Sequence, residues 1–184
     1  MPRSGAEVRM RLREAALTLF REHGYDATTT AQIAERAGVT ERTFFRHFTD
    51  KREVLFDGEG EVNRVLVDAV AAAPDDLLPL AVLSRAFMAS IPLFVAGRRV
   101  AELRQPVIDA SPALQERAHA KSAAIVDAVR DALVARGLAD ATALLAAQVG
   151  LAAFHRAVGG WDGTSASDLA QRITEAFDEM RSLG

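Results

Sequence analysis

The sequence contains no cysteine among its 184 residues. Disulfide bonds, thiol catalysis and cysteine-ligated zinc or iron–sulfur sites are therefore excluded. The four histidines, at positions 23, 47, 119 and 155, show no zinc-binding spacing of the His-Glu-x-x-His type. A Gly-x-Ser-x-Gly nucleophile elbow and a phosphate-binding P-loop are missing as well. We therefore expect no metal ion, no cofactor and no enzymatic activity.

Long hydrophobic runs are also missing. The longest nearly uncharged apolar stretch, 141–154, has 14 residues, fewer than the roughly 20 that span a bilayer. The chain begins Met1-Pro2-Arg3-Ser4 without an apolar run behind it, so we expect no signal peptide. With 49% hydrophobic and 26% charged residues, the composition favours a cytoplasmic protein with a packed core and no membrane partner.

Lysine is scarce, because 20 of the 22 basic residues are arginines. The net charge of −3 by itself argues against a nucleic-acid partner, but the charge is unevenly distributed. Residues 1–52 carry 10 basic and 7 acidic side chains, whereas residues 53–184 carry 12 and 18. A basic N-terminal segment on an acidic body is typical of a protein with a small, positively charged surface that contacts a polyanion.

Alternating strand patterns do not extend beyond four residues, whereas helix start and stop signals recur. We predict an all-α protein of about nine helices. Asp50 and Glu53 resemble a capping box, which predicts that a long helix begins there. Gly58 and Gly60 lie near the start of that helix. The first four predicted helices end at Gly24, at about Ala37, at residue 47 and at about Ala73. The other five cover about 77–91, 97–104, 112–136, 140–158 and 166–182.

Two short predicted helices, joined by Ala37-Gly38-Val39, have helix-turn-helix spacing. Thr29 and Gln32 fit a capping box at the start of the first helix, and Thr40 can cap the second. Apolar positions of the pair can face inward, which leaves a polar and cationic set pointing outward. A plain helical hairpin with a solvated basic face would show the same spacing, so spacing alone leaves DNA binding open.

Four sequence blocks, 24–30, 33–39, 42–48 and 51–55, keep their order and spacing together. They closely resemble the N-terminal domain of TetR-family transcriptional regulators, without a gap from about residue 8 to 56. The resemblance implies a homodimer that reads a palindromic double-stranded DNA operator, usually as a repressor released by a small molecule. It also implies two domains, a helix-turn-helix DNA-binding domain in 1–50 and a helical ligand-binding and dimerisation domain in 51–184.

The resemblance implies DNA contacts by Thr43 and His47 on the recognition helix, a backbone contact by Thr30, and a phosphate contact by Lys51 at the start of the fourth helix. Many family members carry tyrosine at position 45 and some carry a base-reading arginine at position 31, where this chain has Phe45 and Ala31. Base reading is therefore expected from arginine, which fits the edge of guanine. Which arginine reads a base stays open. The predicted DNA-binding residues are Thr29, Thr30, Thr40, Arg42, Thr43, Phe45, Arg46, His47 and Lys51.

The helix predicted over 140–158 is apolar on all sides, which indicates burial on all sides. We expect one face to pack on the subunit's own core and the small-residue face to pack, with the final helix, on a partner chain. An ordinary core helix is the alternative. The predicted interface residues are Ala143, Ala147, Gly150, Leu151, Ile173, Phe177 and Met180.

We expect a ligand cavity within the middle helices, because ligand sites are mostly apolar with few polar groups. Arg104 and Gln148 are further polar candidates, and plain core filling is the alternative for each aromatic residue. Few charges are available there, so a small, largely apolar effector is favoured. An activator, a regulator without ligand and a dimerisation module without DNA binding remain open. The predicted lining residues are Leu66, Phe87, Met88, Ile91, Phe94, Leu103, Phe154, His155 and Trp161.

Overall fold

The computed structural model describes residues 5–163 and 165–182, with Glu59 described in its backbone only. Residues 1–4, which carry part of the signal-peptide argument, lie outside the described residues. Within them the chain forms eight α-helices and no strand, which confirms the all-α prediction. The helices are α1 Gly5–His23, α2 Thr30–Arg36, α3 Glu41–His47, α4 Glu59–Ala71, α5 Pro79–Asp109, α6 Pro112–Ala135, α7 Asp140–Gly159 and α8 Ala166–Ser182.

The chain divides into two compact units. The first contains the residues up to Asp57 together with Arg99–His119, and so holds α1 to α3, the end of α5 and the beginning of α6. The second contains Gly58–Arg98 and the residues from Ala120 onward. Each unit has its own hydrophobic core. The predicted functional domains, 1–50 and 51–184, stay a prediction.

The first three helices begin and end where the sequence predicts. The Thr29 side chain accepts from the Gln32 backbone N–H, and the Gln32 side chain accepts from the Thr29 N–H, so the capping box is formed. Thr40 caps α3 by accepting from the Thr43 N–H. Gly38 adopts a φ of 67° in the turn between α2 and α3, a left-handed conformation that a Cβ would strain.

The predicted helix beginning at residues 50–53 is wrong, because α4 begins only at Glu59. Asp50 does accept from the Arg52 and Glu53 N–H groups, as a cap would. The segment that follows, however, forms tight turns in which the Leu55 N–H bonds to the Arg52 carbonyl, three residues back. Three consecutive side chains, 54–56, are buried there. An α-helix points such neighbours in different directions, so their burial favours the turn.

The predicted helices 77–91 and 97–104 are one continuous helix, α5, of 31 residues. Pro92 and Pro106, residues that ordinarily break a helix, both lie inside α5 with exposed side chains. A proline removes one helix hydrogen bond. Next to the two prolines, α5 is stabilised by the packing of three buried residues in the hydrophobic cores, Ile91, Val107 and Ile108. This fusion accounts for eight helices instead of about nine.

Two helices, α5 and α7, are long and apolar enough to cross a membrane by length and composition alone. Of their most apolar segments, 33% in α5 and 44% in α7 is buried inside the protein. Core helices pass the same test, so this finding is weak evidence for a membrane.

Helix α7 is not buried on all sides. One face is buried in the core of the second unit, while Leu145 on the opposite face is 62% exposed. On the buried face, a Cβ added to Gly150 would lie 2.8 Å from Leu83 Cδ1 and 3.5 Å from Phe87 Cε2. The smallest residue of α7 therefore accommodates α5 of the same chain.

We predict that Gly150→Ala destabilises the protein by about 1 kcal/mol, because overpacking of about 1–3 kcal/mol outweighs the gain in helix propensity. The matched control is Gly97→Ala in α5, where the added Cβ meets nothing within 4 Å. That variant is expected to gain about 0.5–1 kcal/mol. Urea unfolding measures both, and a stabilised Gly150→Ala variant would contradict the close α5–α7 packing.

Candidate nucleic-acid interface

One face of α3 presents two arginines and an aromatic ring to solvent. Arg42, Phe45 and Arg46 are exposed, and their spacing places them on a single side of the helix. Phe45 is 52% exposed. Within the described residues, neither Arg42 nor Arg46 has a carboxylate at ion-pair distance. Two guanidinium groups beside an aromatic ring can take up phosphate oxygens, base edges and thymine methyl groups.

The threonine hydroxyls near this face are engaged within the protein. Thr30 Oγ1 donates to Glu41 Oε1, which joins the start of α2 to the start of α3. Thr40 Oγ1 accepts from the Thr43 N–H at 3.2 Å, and the two hydroxyls lie 3.0 Å apart. Thr29 is occupied by its capping box. These four predicted DNA-binding residues therefore shape the helix ends.

His47 is half-buried at the end of α3. Its Nε2 atom is buried, and within the described part of the chain it has no hydrogen-bond partner. Burial, followed by the nearby Arg46 and Arg9 charges, holds the pKa of His47 below its usual value. The imidazole is therefore neutral at pH 7 and adds no positive charge to the face of α3.

Arg9 joins α3 to α1, a link that sequence reasoning missed. Its Nη1 donates to the His47 carbonyl at 2.8 Å, at the C-terminal end of α3. Its Nε and Nη2 both donate to Asp57, at 2.9 and 2.7 Å from Oδ1. The guanidinium also lies 4.4 Å from the Phe48 ring centroid. These partners are dozens of residues away in sequence, so no local pattern could reveal them.

Lys51 does not begin the fourth helix, as the resemblance implied, because α4 begins eight residues later. Its Nζ donates to the carbonyls of Tyr25, Thr28 and Asp26, at 2.7, 2.9 and 3.3 Å. It also lies 4.3 Å from the Tyr25 ring centroid. An ammonium has three N–H donors, and here all three are directed at backbone carbonyls.

The predicted ligand residues do not all come together. Leu103 packs on the core of the first unit, and Arg104 donates to the Leu55 carbonyl there. The side chains of His155 and Gln148 are exposed. Seven others share the core of the second unit, where the Phe87 and Phe154 rings stack at 4.6 Å. These seven are Leu66, Phe87, Met88, Ile91, Phe94, Phe154 and Trp161.

The predicted interface residues lie inside the subunit. Six of them are buried, and the seventh, Met180, packs against the same core. Their burial leaves them unavailable to a partner chain. The exposed face of α7 carries a different set, spaced as one helical stripe: Ala141, Leu145, Gln148, Ala152 and His155. Among the described residues, no three potential metal ligands come together.

Residues 12–57 match the family model described as bacterial regulatory proteins, tetR family. The match shows a TetR-family N-terminal domain in this chain. It is 42% identical over 74 residues to the HTH-type transcriptional regulator TcmR of Streptomyces glaucescens, a match covering 40% of this chain and 33% of that one. The chain thus spans about a third of the length of that curated relative.

Two solved structures have the same fold. A putative TetR-family transcriptional regulator from Mesorhizobium loti MAFF303099 matches with a TM-score of 0.59 and 18% identity, covering 98% of each chain. The transcriptional regulator FadR from Bacillus subtilis, in complex with stearoyl-CoA, matches with a TM-score of 0.61 and 17% identity, covering 92% of this chain and 95% of that one. The TetR-family relatives are transcriptional regulators, in agreement with the expectation that this chain is not an enzyme.

We predict that the half-buried, neutral His47 makes the protein less stable in acid. The unfolded chain takes up a proton near pH 6.5, whereas the folded state resists protonation until its lowered pKa is reached. The free energy of unfolding contributed by His47 is therefore present above pH 6.5 and is lost as the pH falls through the folded pKa. Urea unfolding at pH 7.5 and 5.5 should show a smaller loss for His47→Gln than for the wild type; an equal loss would contradict the buried imidazole.

Proposed function

We propose that this TetR-family chain is a sequence-specific DNA-binding transcriptional regulator acting in the cytoplasm. The observation that carries the proposal is the exposed face of α3, where Arg42 and Arg46 flank Phe45 without a carboxylate partner among the described residues. In a helical hairpin without a DNA partner, ion pairs between such arginines and the protein's own acidic residues would add stability, as the pair of Arg36 and Glu22 does. The acidic residue on α3, Glu41, is instead bonded to Thr30.

The proposed operator is a palindrome read by a homodimer. Two-fold symmetry places two copies of α3 on one side of the duplex, and their entry into successive major grooves requires a separation of about 34 Å. Arg42 and Arg46 are four residues apart, so both can face one groove. Phe45 lacks a hydroxyl and can contribute only apolar contact, to a sugar or a thymine methyl.

We predict that Arg42→Ala weakens binding to the preferred duplex by about 1–3 kcal/mol per half-site and relaxes the preference at one base pair. Arg36→Ala is the matched control, because Arg36 is exposed in the same unit but is paired with Glu22. Binding to the selected duplex and to random duplexes measures both variants. Equal losses on both duplexes would assign Arg42 to the phosphate backbone, and a wild-type protein that binds no duplex would overturn the function.

The proposed dimer forms through the exposed stripe of α7 with the adjacent surface of α8. Leu145 is one of the most exposed large apolar side chains described, and Ala141 and Ala152 continue the stripe with small residues. Arg156 and Glu179, 3.1 Å apart, join α7 to α8 at its edge. A largely apolar stripe with an ion pair at its edge suits a four-helix interface across a two-fold axis.

We predict that Leu145→Arg converts the dimer to monomers, because it places two charges against each other at the interface. Leu78→Arg is the control, since Leu78 is 76% exposed but lies outside α7 and α8. Sedimentation velocity with circular dichroism distinguishes dissociation from unfolding. If the Leu145→Arg variant is folded and still dimeric, the interface lies elsewhere on the protein.

We propose further that the protein is a repressor released by a small, largely apolar effector bound in the second unit. The half-buried Met88, Phe94 and Trp161 at the edge of the core support this proposal, because they offer apolar surface beside the stacked Phe87 and Phe154 rings. The FadR structure, which holds stearoyl-CoA, has this fold. An activator and a ligand-independent regulator are the other outcomes. Transcription from a promoter that carries the operator separates an activator from a repressor, and operator binding with and without a bound compound identifies a ligand-independent regulator.

A further inference from the structure

A cation from α1 lies against the last turn of α3. Arg9 donates through Nη1 to the His47 carbonyl at 2.8 Å, and its guanidinium lies 4.4 Å from the centroid of the Phe48 ring. The last carbonyls of a helix have no donor within the helix, and the one at His47 is satisfied by Arg9. Because α3 has only seven residues, it has little stability of its own to keep that end in place.

Asp57 orients this guanidinium. Arg9 Nε donates to both carboxylate oxygens, at 2.9 and 3.1 Å, and Nη2 donates to Oδ1 at 2.7 Å. A contact at two nitrogen atoms fixes the plane of a guanidinium as well as its position, and the plane directs Nη1 at the His47 carbonyl. The Asp57 side chain is only 15% exposed, so solvent screens this ion pair less than a pair at the surface.

We propose that Arg9 and Asp57 form a positioning pair for DNA binding, in which the carboxylate orients the guanidinium and the guanidinium fixes the end of α3 against α1. The inference rests on the proposed function. Arg46 directly precedes His47, so a displaced helix end would move one of the two arginines that face the proposed groove. Asp57 acts through Arg9 and needs no contact with DNA.

The sign of the charge on Asp57 makes the proposal testable. A carboxylate near a DNA-binding surface opposes binding, because the phosphate backbone is negatively charged. The Asp57 carboxylate also lies 3.7 Å from Arg13 Nη1, so its removal takes a counter-charge from two arginines. Electrostatics alone therefore predicts that Asp57→Asn binds DNA more tightly. The positioning pair predicts weaker binding, because the released guanidinium no longer fixes α3.

A second ion pair in the same unit supplies the matched control. Arg36 donates to both oxygens of Glu22, at 2.6 and 3.1 Å, and so joins α2 to α1. It is also a contact of one arginine with one carboxylate at two nitrogen atoms, but neither residue lies on α3. Glu22→Gln removes the same charge as Asp57→Asn and releases one arginine, so it measures the effect of the charge change alone.

The binding test compares Asp57→Asn, Arg9→Lys and Glu22→Gln on a duplex selected by the wild type and on random duplexes. We expect affinity for the selected duplex to fall about tenfold in Asp57→Asn and in Arg9→Lys, because an ammonium cannot replace the planar set of donors. Random duplexes do not depend on the placement of α3, so the ratio of selected to random binding should fall. Glu22→Gln should bind both at least as tightly as the wild type.

Amide hydrogen exchange without DNA tests the pair independently of the proposed function. Exchange in residues 44–48 should accelerate about tenfold in Asp57→Asn and Arg9→Lys, because the end of α3 opens locally, and should stay unchanged in Glu22→Gln. The amides of residues 12–20 in α1 should stay protected in all three variants. This difference separates a loosened end of α3 from unfolding of the whole unit.

An Asp57→Asn variant that binds the selected duplex as tightly as the wild type, or more tightly, would overturn the inference. Equal losses on selected and random duplexes would also overturn it, as would equal losses of protection in α1 and α3. A wild-type protein that binds no duplex would instead overturn the proposed function, and the exchange experiment would still decide whether Arg9 and Asp57 fix the end of α3.

Discussion

The burial of Phe44 and Phe48 is the constraint on which the recognition surface depends. Helix α3 has only seven residues, far below the length at which an isolated helix is stable in water. Both rings are nearly inaccessible to solvent and lie 5.7 Å apart, in the core that α1 and α2 share with α3. Phe45 meets Phe44 edge to face at 5.4 Å. The outward ring is thus oriented by the inward one.

Cations hold both ends of this arrangement by binding backbone carbonyls. Arg9 caps the C-terminal end of α3 at His47, and Lys51 holds the loop before α2. A hydrogen bond from a charged donor contributes about 1.5–3 kcal/mol, more than a neutral one. Arg36 and Arg52 are likewise paired with acidic residues. The excess positive charge of residues 1–52 therefore overstates the charge that is available to a DNA partner.

Local signals predicted the helix-turn-helix well. Capping residues and the turn glycine act within a few residues, so the ends of α1 to α3 follow from the sequence. The sequence did not predict that α5 is continuous. Two prolines indicate a break, whereas the contacts that stabilise the helix come from residues distant in sequence. The carbonyl partners of Lys51 were missed for a related reason: a backbone acceptor has no letter in the sequence. Family resemblance assigned the lysine a phosphate contact, which stays a prediction.

Helix α7 shows why composition alone could not predict which of its faces packs inside the subunit. Alanine and glycine occur on both of its faces, and either face could have met a partner. The close approach of Gly150 to Leu83 decides between them, because the buried face is filled by α5 of the same chain.

The same dense packing constrains how an effector could act. Phe154 stacks on Phe87 at 4.6 Å and meets Phe94 at 4.8 Å, so no molecule fits between these rings as they stand. The proposed effector would have to separate them to pass from the half-buried edge into the core. Binding would then favour a rearranged core over the present one, and such differential affinity is what a ligand needs to shift a conformational equilibrium.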